Sequence, residues 1–250
     1  MTILALEFSS PQRSVAVLSH GSAAGTQDNC RPPARGVIPE AESRTDARLP
    51  VAVGEVSSEV IEAGGDRAMK PLGMIEDALR QAGVEREAIE CLAIGLGPGS
   101  YTGIRAAIAL AQGWQLARGV KLLGVSSAEA IAAEAEAAGL RGRVTVVLDA
   151  QRNEFYVAVW EIVAGERREV EPLRLAGREE VQRRAEAGER VVGPEVTKWF
   201  SSGLLIFPRA AVVARLSWGR TDFTPGEKLE PIYLRETKFV KAPPPRVLPV

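Results

Sequence analysis

Histidine and cysteine are nearly absent: the 250 residues include one histidine, His20, and two cysteines, Cys30 and Cys91. A zinc or iron centre built from His and Cys therefore lacks ligands, and the Ser-His-Asp and Cys-His templates of nucleophilic catalysis are nearly excluded by the same shortage. Two cysteines 61 positions apart do not make a disulfide framework, which points to a reducing compartment, the cytoplasm. Cys91 opens an apolar strand and is expected in the core. Long apolar runs are missing as well. No stretch reaches the ~18 residues of a membrane span, and the opening Met1-Thr2-Ile3-Leu4-Ala5-Leu6-Glu7 has no basic flank and soon meets an acid, unlike a signal peptide. Nor is there an excess of one charge: 31 Lys and Arg face 32 Asp and Glu. That balance argues against a chain-wide attraction to nucleic-acid phosphate, so any RNA contact is local or made through a partner. What is present is an ordinary globular composition, 46% apolar, 25% charged and 5% aromatic. A chain of this size buries roughly 70–75% of its unfolded surface, enough for one large domain or two lobes.

β-prone runs at 3–8 and 13–18, joined by Ser9-Ser10-Pro11-Gln12, predict a hairpin. Residues 19–50 break the pattern with four prolines, three glycines and no aromatics. They read as an irregular insertion, either passive or a lid or contact loop, with too little apolar surface to offset the entropy of ordering. A strand is expected at 51–56 and a helix at 67–81, with Met69, Leu72, Ile75 and Leu79 at helical spacing and Gly83 closing it. Strands follow at 91–96 and 121–125 around a helix at 102–118. Ser126 with Glu129 predicts a capping box before an alanine-rich helix ending at Gly139. The second half starts alike, with strands at 144–148, 155–160, around 170–175 and at 190–192, and a helix at 178–187. Two short helical stretches then flank the apolar 204–207. Residues 241–250 hold four prolines and read as an extended tail. The halves also share a motif: Val15-Ala16-Val17 begins eight residues after Glu7, and Val157-Ala158-Val159 eight residues after Asp149. This points to a duplicated lobe, with 1–140 and 141–240 as the two units.

Three features are candidates for function. Gly95-Leu96-Gly97-Pro98-Gly99-Ser100-Tyr101-Thr102-Gly103-Ile104-Arg105 lies between a strand and a helix, where glycines permit close backbone approach. It is neither the Walker pattern nor the dinucleotide fingerprint, and either a phosphate cradle or a tight structural connection fits it. The helix after it is rich in small residues and suits close packing, within the lobe or against another chain. Glu7 and Asp149 each end the first strand of a half; across a cleft they could hold a metal-bound phosphate, or each could organise a polar turn.

The run Gly97 to Arg105 resembles the bacterial TsaB (YeaZ) family, and the resemblance extends over most of the chain. It includes Ile3-Leu4-Ala5-Leu6-Glu7-Phe8-Ser9-Ser10, Ser14-Val15-Ala16-Val17, Val125-Ser126, Leu148-Asp149-Ala150-Gln151-Arg152-Asn153-Glu154-Phe155-Tyr156 and Glu230-Pro231-Ile232-Tyr233-Leu234-Arg235. The resemblance implies a duplicated actin/Hsp70/sugar-kinase-like (ribonuclease H-like) α/β fold, with two lobes that each hold a mixed β-sheet and flanking helices. It also implies a non-catalytic role in the threonylcarbamoyl modification of the adenosine beside the anticodon, in tRNAs that read codons beginning with A. The expected partners are a TsaD-like transferase, bound as a heterodimer, and a TsaE-like ATPase. tRNA is met mainly through the complex, a homodimer is possible when the chain is alone, and no membrane is involved. No cofactor of its own is expected, since ATP and metal belong to the partner subunits. The metal-binding His-x-x-x-His of the TsaD type has no counterpart in the helix at 67–81, and the superfamily's older peptidase label finds no support.

By the same resemblance, Leu72, Ile75, Leu79, Ile104, Ala107, Ile108 and Ala111, flanked by Arg105, are expected at a TsaD-facing helical surface or else against the sheet. Glu7, Ser9 and Asp149 become vestigial positions of a nucleotide cleft. Glu7 stands where the family usually has Asp, the 19–50 insertion lengthens a connection, and Gly193-Pro194-Glu195 replaces a Gly-Asp-Gly type of turn. The first and third of these departures count against independent nucleotide binding, and the insertion bears on partner contacts.

Overall fold

The computed structural model describes residues 1–19, 54–63 and 70–234. The expectations for 20–50, including His20 and Cys30, and for 51–53, Met69, Arg235 and the tail at 241–250 lie outside the described residues.

Two five-stranded sheets carry the structure. Strands β1 (Ile3–Glu7) and β2 (Gln12–Ser19) form the expected hairpin, and β3 (Glu55–Ala63) extends it antiparallel. β4 (Cys91–Gly95) and β5 (Lys121–Val125) add in parallel on the other side of β1, giving the order β3-β2-β1-β4-β5. β6 (Gly142–Asp149), β7 (Glu154–Val163), β8 (Glu166–Gly177), β9 (Arg190–Gly193) and β10 (Leu204–Leu205) repeat it as β8-β7-β6-β9-β10 with the same antiparallel and parallel pairings. This is the duplicated actin-like, ribonuclease H-like α/β topology.

β3 lies further along the chain than the strand expected at 51–56. Five of its nine residues are polar and its position is an edge, where only Ser58 is buried, so the apolar signal is thin.

Helices α1 (Pro71–Ala82) and α2 (Tyr101–Arg118) cover one face of the first sheet. Pro71 opens α1, where its missing N–H is not needed, and Gly83 closes it in the left-handed conformation. α2 is capped by Ser100, whose hydroxyl accepts from Gly103 N–H at 3.3 Å. α4 (Arg178–Glu186) lies along the outer face of the second sheet, where Val181 joins Val147, Phe155 and Phe200.

The remaining two helices lie between the sheets. α3 (Ser127–Ala137) sets Ala128, Ile131, Ala132 and Ala135 against the second sheet, while Ala130 joins the core of the first. α5 (Ala210–Ser217) comes after both sheets in chain order, yet packs Ala210, Ala211, Val212, Val213 and Ala214 against the first. Alanine dominates because a helix in contact on two sides has no room for long side chains. The first turn of α5 is satisfied from the sheet beneath it: Ala210 N–H donates to Ser14 Oγ at 2.8 Å and Ala211 N–H to Glu59 Oε1 at 3.1 Å. Arg209 ties the same Glu59 to Glu134 of α3. Ser126 precedes α3 but makes no side-chain cap; the next serine, Ser127, is the one employed, as shown below. Among the described residues, no helix is long and apolar enough to cross a membrane.

Candidate functional site

Both hairpin turns, the β4–α2 loop and the β9 exit open on one cleft of about 740 Å³. Ser9, Ser10 and Pro11 line it from the β1–β2 turn, Gly99 to Thr102 from the start of α2, Asp149 to Gln151 from the β6–β7 turn, and Pro194 and Glu195 from the β9 exit. Tyr233 closes the rim. It arrives because the chain after α5 runs back along the first sheet, where Gln112 and Gln115 of α2 hold Gly226 and Ile232 N–H donates to Leu96 O at 2.8 Å.

The glycine-rich loop is a tight structural connection. Gly97 and Pro98 are joined by a cis peptide bond. Gly99 has a φ of +151°, and a Cβ there would sit 2.1 Å from Ser9 O; a Cβ on Gly103 would sit 2.0 Å from Phe8 O. Ser100 N–H donates to Ser9 O at 2.6 Å. The close approach that these glycines allow is thus taken by the chain's own β1–β2 turn.

Glu7 explains much of that geometry. It is fully buried, Oε1 accepts from Ser9 N–H at 2.7 Å and Oε2 accepts from Ser127 Oγ at 2.8 Å. Ser127 in turn exchanges hydrogen bonds with Gly97, its hydroxyl accepting from Gly97 N–H at 3.1 Å and its N–H donating to Gly97 O at 2.8 Å. One carboxyl group therefore pins the β1–β2 turn, the Gly-Pro-Gly loop and the start of α3. Burial pushes its pKa above the ordinary carboxylate range, against the opposing pull of the Ser9 and Ser127 hydrogen bonds. Gly95 on the neighbouring strand leaves room for it: a Cβ there would lie 1.9 Å from Glu7 Oε2.

The two strand-end acids do not face each other. Glu7 pairs with Ser14 and Asp149 with Phe155, so the second turn is one residue shorter. Ala16 lies opposite Ala5, two residues before its acid, whereas Ala158 lies opposite Val146, three before. A one-residue slip reverses the face of a strand residue. Glu7 shares its face with Ile3 and Ala5, towards α5, while Asp149 lies beside Val147, Phe155 and Trp199 and lines the cleft. Asp149 Oδ1 accepts from Gln151 N–H at 2.6 Å, organising a turn in which Gln151, Arg152 and Asn153 all have positive φ. The second cleft carboxylate, Glu195, is paired with Lys198. A metal-bound nucleotide, which the fold class suggests, does not fit this set: one acid is internal, one is engaged by a lysine, and Asp149 is left on its own. Among the described residues, no group of three or more His, Cys, Asp or Glu is placed to hold a metal ion.

The helical candidates divide. Ile75, Leu79, Ile104, Ala107, Ile108 and Ala111 are buried against the first sheet, and only Leu72 and Arg105 face outwards. The expectation of a partner surface on the six buried positions is therefore corrected: their periodicity is that of the core-facing stripe. The outer stripe joins Leu72 and Arg105, both expected at the partner surface, to Gly73 on α1 and to Ala109, Gly113 and Leu116 on α2, which sequence reasoning missed. Leu72 is 59% exposed and Leu116 83%, and a Cβ on Gly73 or Gly113 would meet open space. The signal was available in Leu116, an apolar residue off the buried period.

A family model described as "TsaD: tRNA N6-adenosine threonylcarbamoyltransferase" matches residues 68–215. The Escherichia coli "tRNA threonylcarbamoyladenosine biosynthesis protein TsaB" is 34% identical over 96 residues, which cover 38% of this chain and 42% of that protein. The Haemophilus influenzae protein of the same name is 33% identical over 85 residues, 34% of this chain and 36% of its own. The matched segments thus span less than half the length of these relatives. Among solved structures, a Pseudomonas aeruginosa protein described as uncharacterized "with similarity to peptidase YEAZ" superposes with a TM-score of 0.69 at 25% identity, over 94% of this chain and 99% of that one. "YeaZ from Pseudomonas aeruginosa" gives 0.68 at 25% identity, over 93% and 99%. With the family match spanning more than half of its residues, and with the duplicated topology in place, the chain belongs to the TsaD family, in its TsaB/YeaZ group.

Proposed function

We propose that this protein is a non-catalytic, cytoplasmic subunit that binds and activates a TsaD-like transferase in the threonylcarbamoyl modification of the adenosine next to the anticodon. The observation that carries the reading is Glu7. The carboxylate at the end of the first strand is folded inwards and consumed by Ser9 and Ser127, so the cleft keeps its architecture while losing an acid that could serve a metal-bound phosphate. ATP and metal then stay with the TsaD-like and TsaE-like partners, and tRNA is met mainly through the complex. Peptidase chemistry is not favoured, because among the described residues the hydroxyls of Ser9, Ser10 and Ser100 lie in a cleft with no histidine beside them.

Docking falls to the outer stripe of α1 and α2. Gly73, Ala109 and Gly113 let another helix approach closely, and Leu72 and Leu116 supply apolar area. In the absence of TsaD the same stripe pairs two copies of the chain. Co-expression with the TsaD of the same organism, followed by size-exclusion chromatography, tests this: co-elution is expected, and two proteins that elute independently under all nucleotide conditions contradict it.

A further inference from the structure

In a chain that is only 5% aromatic, all three tyrosines line the cleft. Tyr156 is buried in its wall, whereas Tyr101 and Tyr233 stand at the rim, 53% and 41% exposed. Their ring centroids are 5.3 Å apart and the planes are inclined by 35°. The Arg105 guanidinium sits 5.1 Å from the Tyr101 ring centroid and donates to its hydroxyl at 2.5 Å, so the exposed ring is held in place by a cation. Neighbouring lining groups are polar and short: the hydroxyls of Ser10, Ser100 and Thr102 and the amide of Gln151.

The charge inside the cleft argues against a polyphosphate. Among the described residues that line it, Arg13 is the one cation and is set against two carboxylates, Asp149 and Glu195, so the described lining carries no cationic surplus. Two exposed arginines lie just outside it: Arg105 at the rim, and Arg152, which follows Gln151 in the left-handed turn. A flat ring entering between rim and wall, with its phosphates left outside beside arginine, matches this distribution. That is the chemistry of an unstacked base in single-stranded RNA, where aromatic side chains supply the stacking surface and arginine meets the backbone.

We propose that Tyr101 and Tyr233, braced by Arg105, form a stacking platform for an unpaired nucleobase of RNA, giving this subunit a direct contact with the nucleic acid. The inference deepens the tRNA-modification reading and rests on it for the source of the base. Its test is separate from complex formation, so the two fail independently.

The experiment measures fluorescence anisotropy of labelled RNA with the full chain alone, using an anticodon stem-loop, a single-stranded oligonucleotide and a duplex of equal length. Single-stranded and loop RNA are expected to bind more tightly than duplex. Tyr101→Ala and Tyr233→Ala should each weaken that binding roughly tenfold, while Tyr101→Phe and Tyr233→Phe keep it within about twofold, because the ring supplies the stacking. Circular dichroism of each variant, unchanged from the parent chain, shows that the fold is retained. Equal affinity for duplex and single strand, or binding indifferent to both alanine variants, overturns the platform. A parallel arm with free adenosine identifies the source: tyrosine-dependent adenosine binding without RNA binding overturns RNA as the occupant.

Discussion

Glu7 shows how much of the local structure one side chain organises. Its two oxygens join three segments that are far apart in sequence, and Gly95 exists beside it because any side chain would occupy the carboxylate's space. Gly95→Ala should therefore lower stability by about 1–3 kcal/mol through overpacking, measured as a drop in the urea midpoint at unchanged slope. The pH dependence has a definite sign. Glu7 titrates higher in the folded chain than its ordinary value of 4.5, so its stabilising contribution is complete below that value and is lost as pH rises through the folded pKa. Glu7→Gln mimics the protonated form. Its stability relative to the parent should rise with pH from about 4.5 upwards; parallel stability curves over that range would show that Glu7 does not titrate this way. None of this was legible in sequence, where Glu7 read as an acid at a strand end. Burial is set by β4 and α3, at Gly95 and Ser127, which come 88 and 120 residues later.

At the scale of elements, strands were legible as short apolar runs that the sheets bury on both faces, and helices where one face is apolar and the other wet. β1, β2, β4 and β5 follow their runs closely, and α2 begins one residue before the expectation. What periodicity could not supply is the identity of the covering surface. Ala107 lies in a stripe that suits either a sheet or a partner helix, and the structure buries it completely; a bulky charged residue there would damage the core, so it cannot report on an interface. Gly113 is the clean position. Gly113→Arg lies on the open outer face of α2 and exchanges a poor helix former for a good one, so the melting temperature of the isolated chain should hold or rise. Co-elution with TsaD should be lost in the same variant, and a complex that survives it moves the docking surface elsewhere. The α5 cap gives a second test. Ser14→Ala leaves Ala210 N–H buried without its acceptor and should cost about 1–3 kcal/mol, read as a lower denaturation midpoint. A change within a few tenths would mean that water replaces the hydroxyl.

For the whole molecule, duplication was visible in the shared Val-Ala-Val spacing, and both sheets do have one strand order. The same spacing misled about the acids, because the two hairpin turns differ by one residue and the period-2 strand turned that into opposite faces. Chain order also conceals that α5 covers the first sheet, a contact between segments about 200 residues apart, as the Ser14 and Ala210 hydrogen bond shows. The cleft survives as a shape lined by all three tyrosines, with one acid withdrawn. The central claim is that this fold acts by supporting a transferase and not by performing the transfer. Threonylcarbamoyl incorporation into tRNA, reconstituted with TsaD, TsaE and a supply of threonylcarbamoyl-adenylate, tests it most directly. Modification should require this chain together with TsaD, should be absent with this chain alone, and should fail with Gly113→Arg. Full-rate modification by TsaD without this chain, or transfer by this chain without TsaD, would contradict the account.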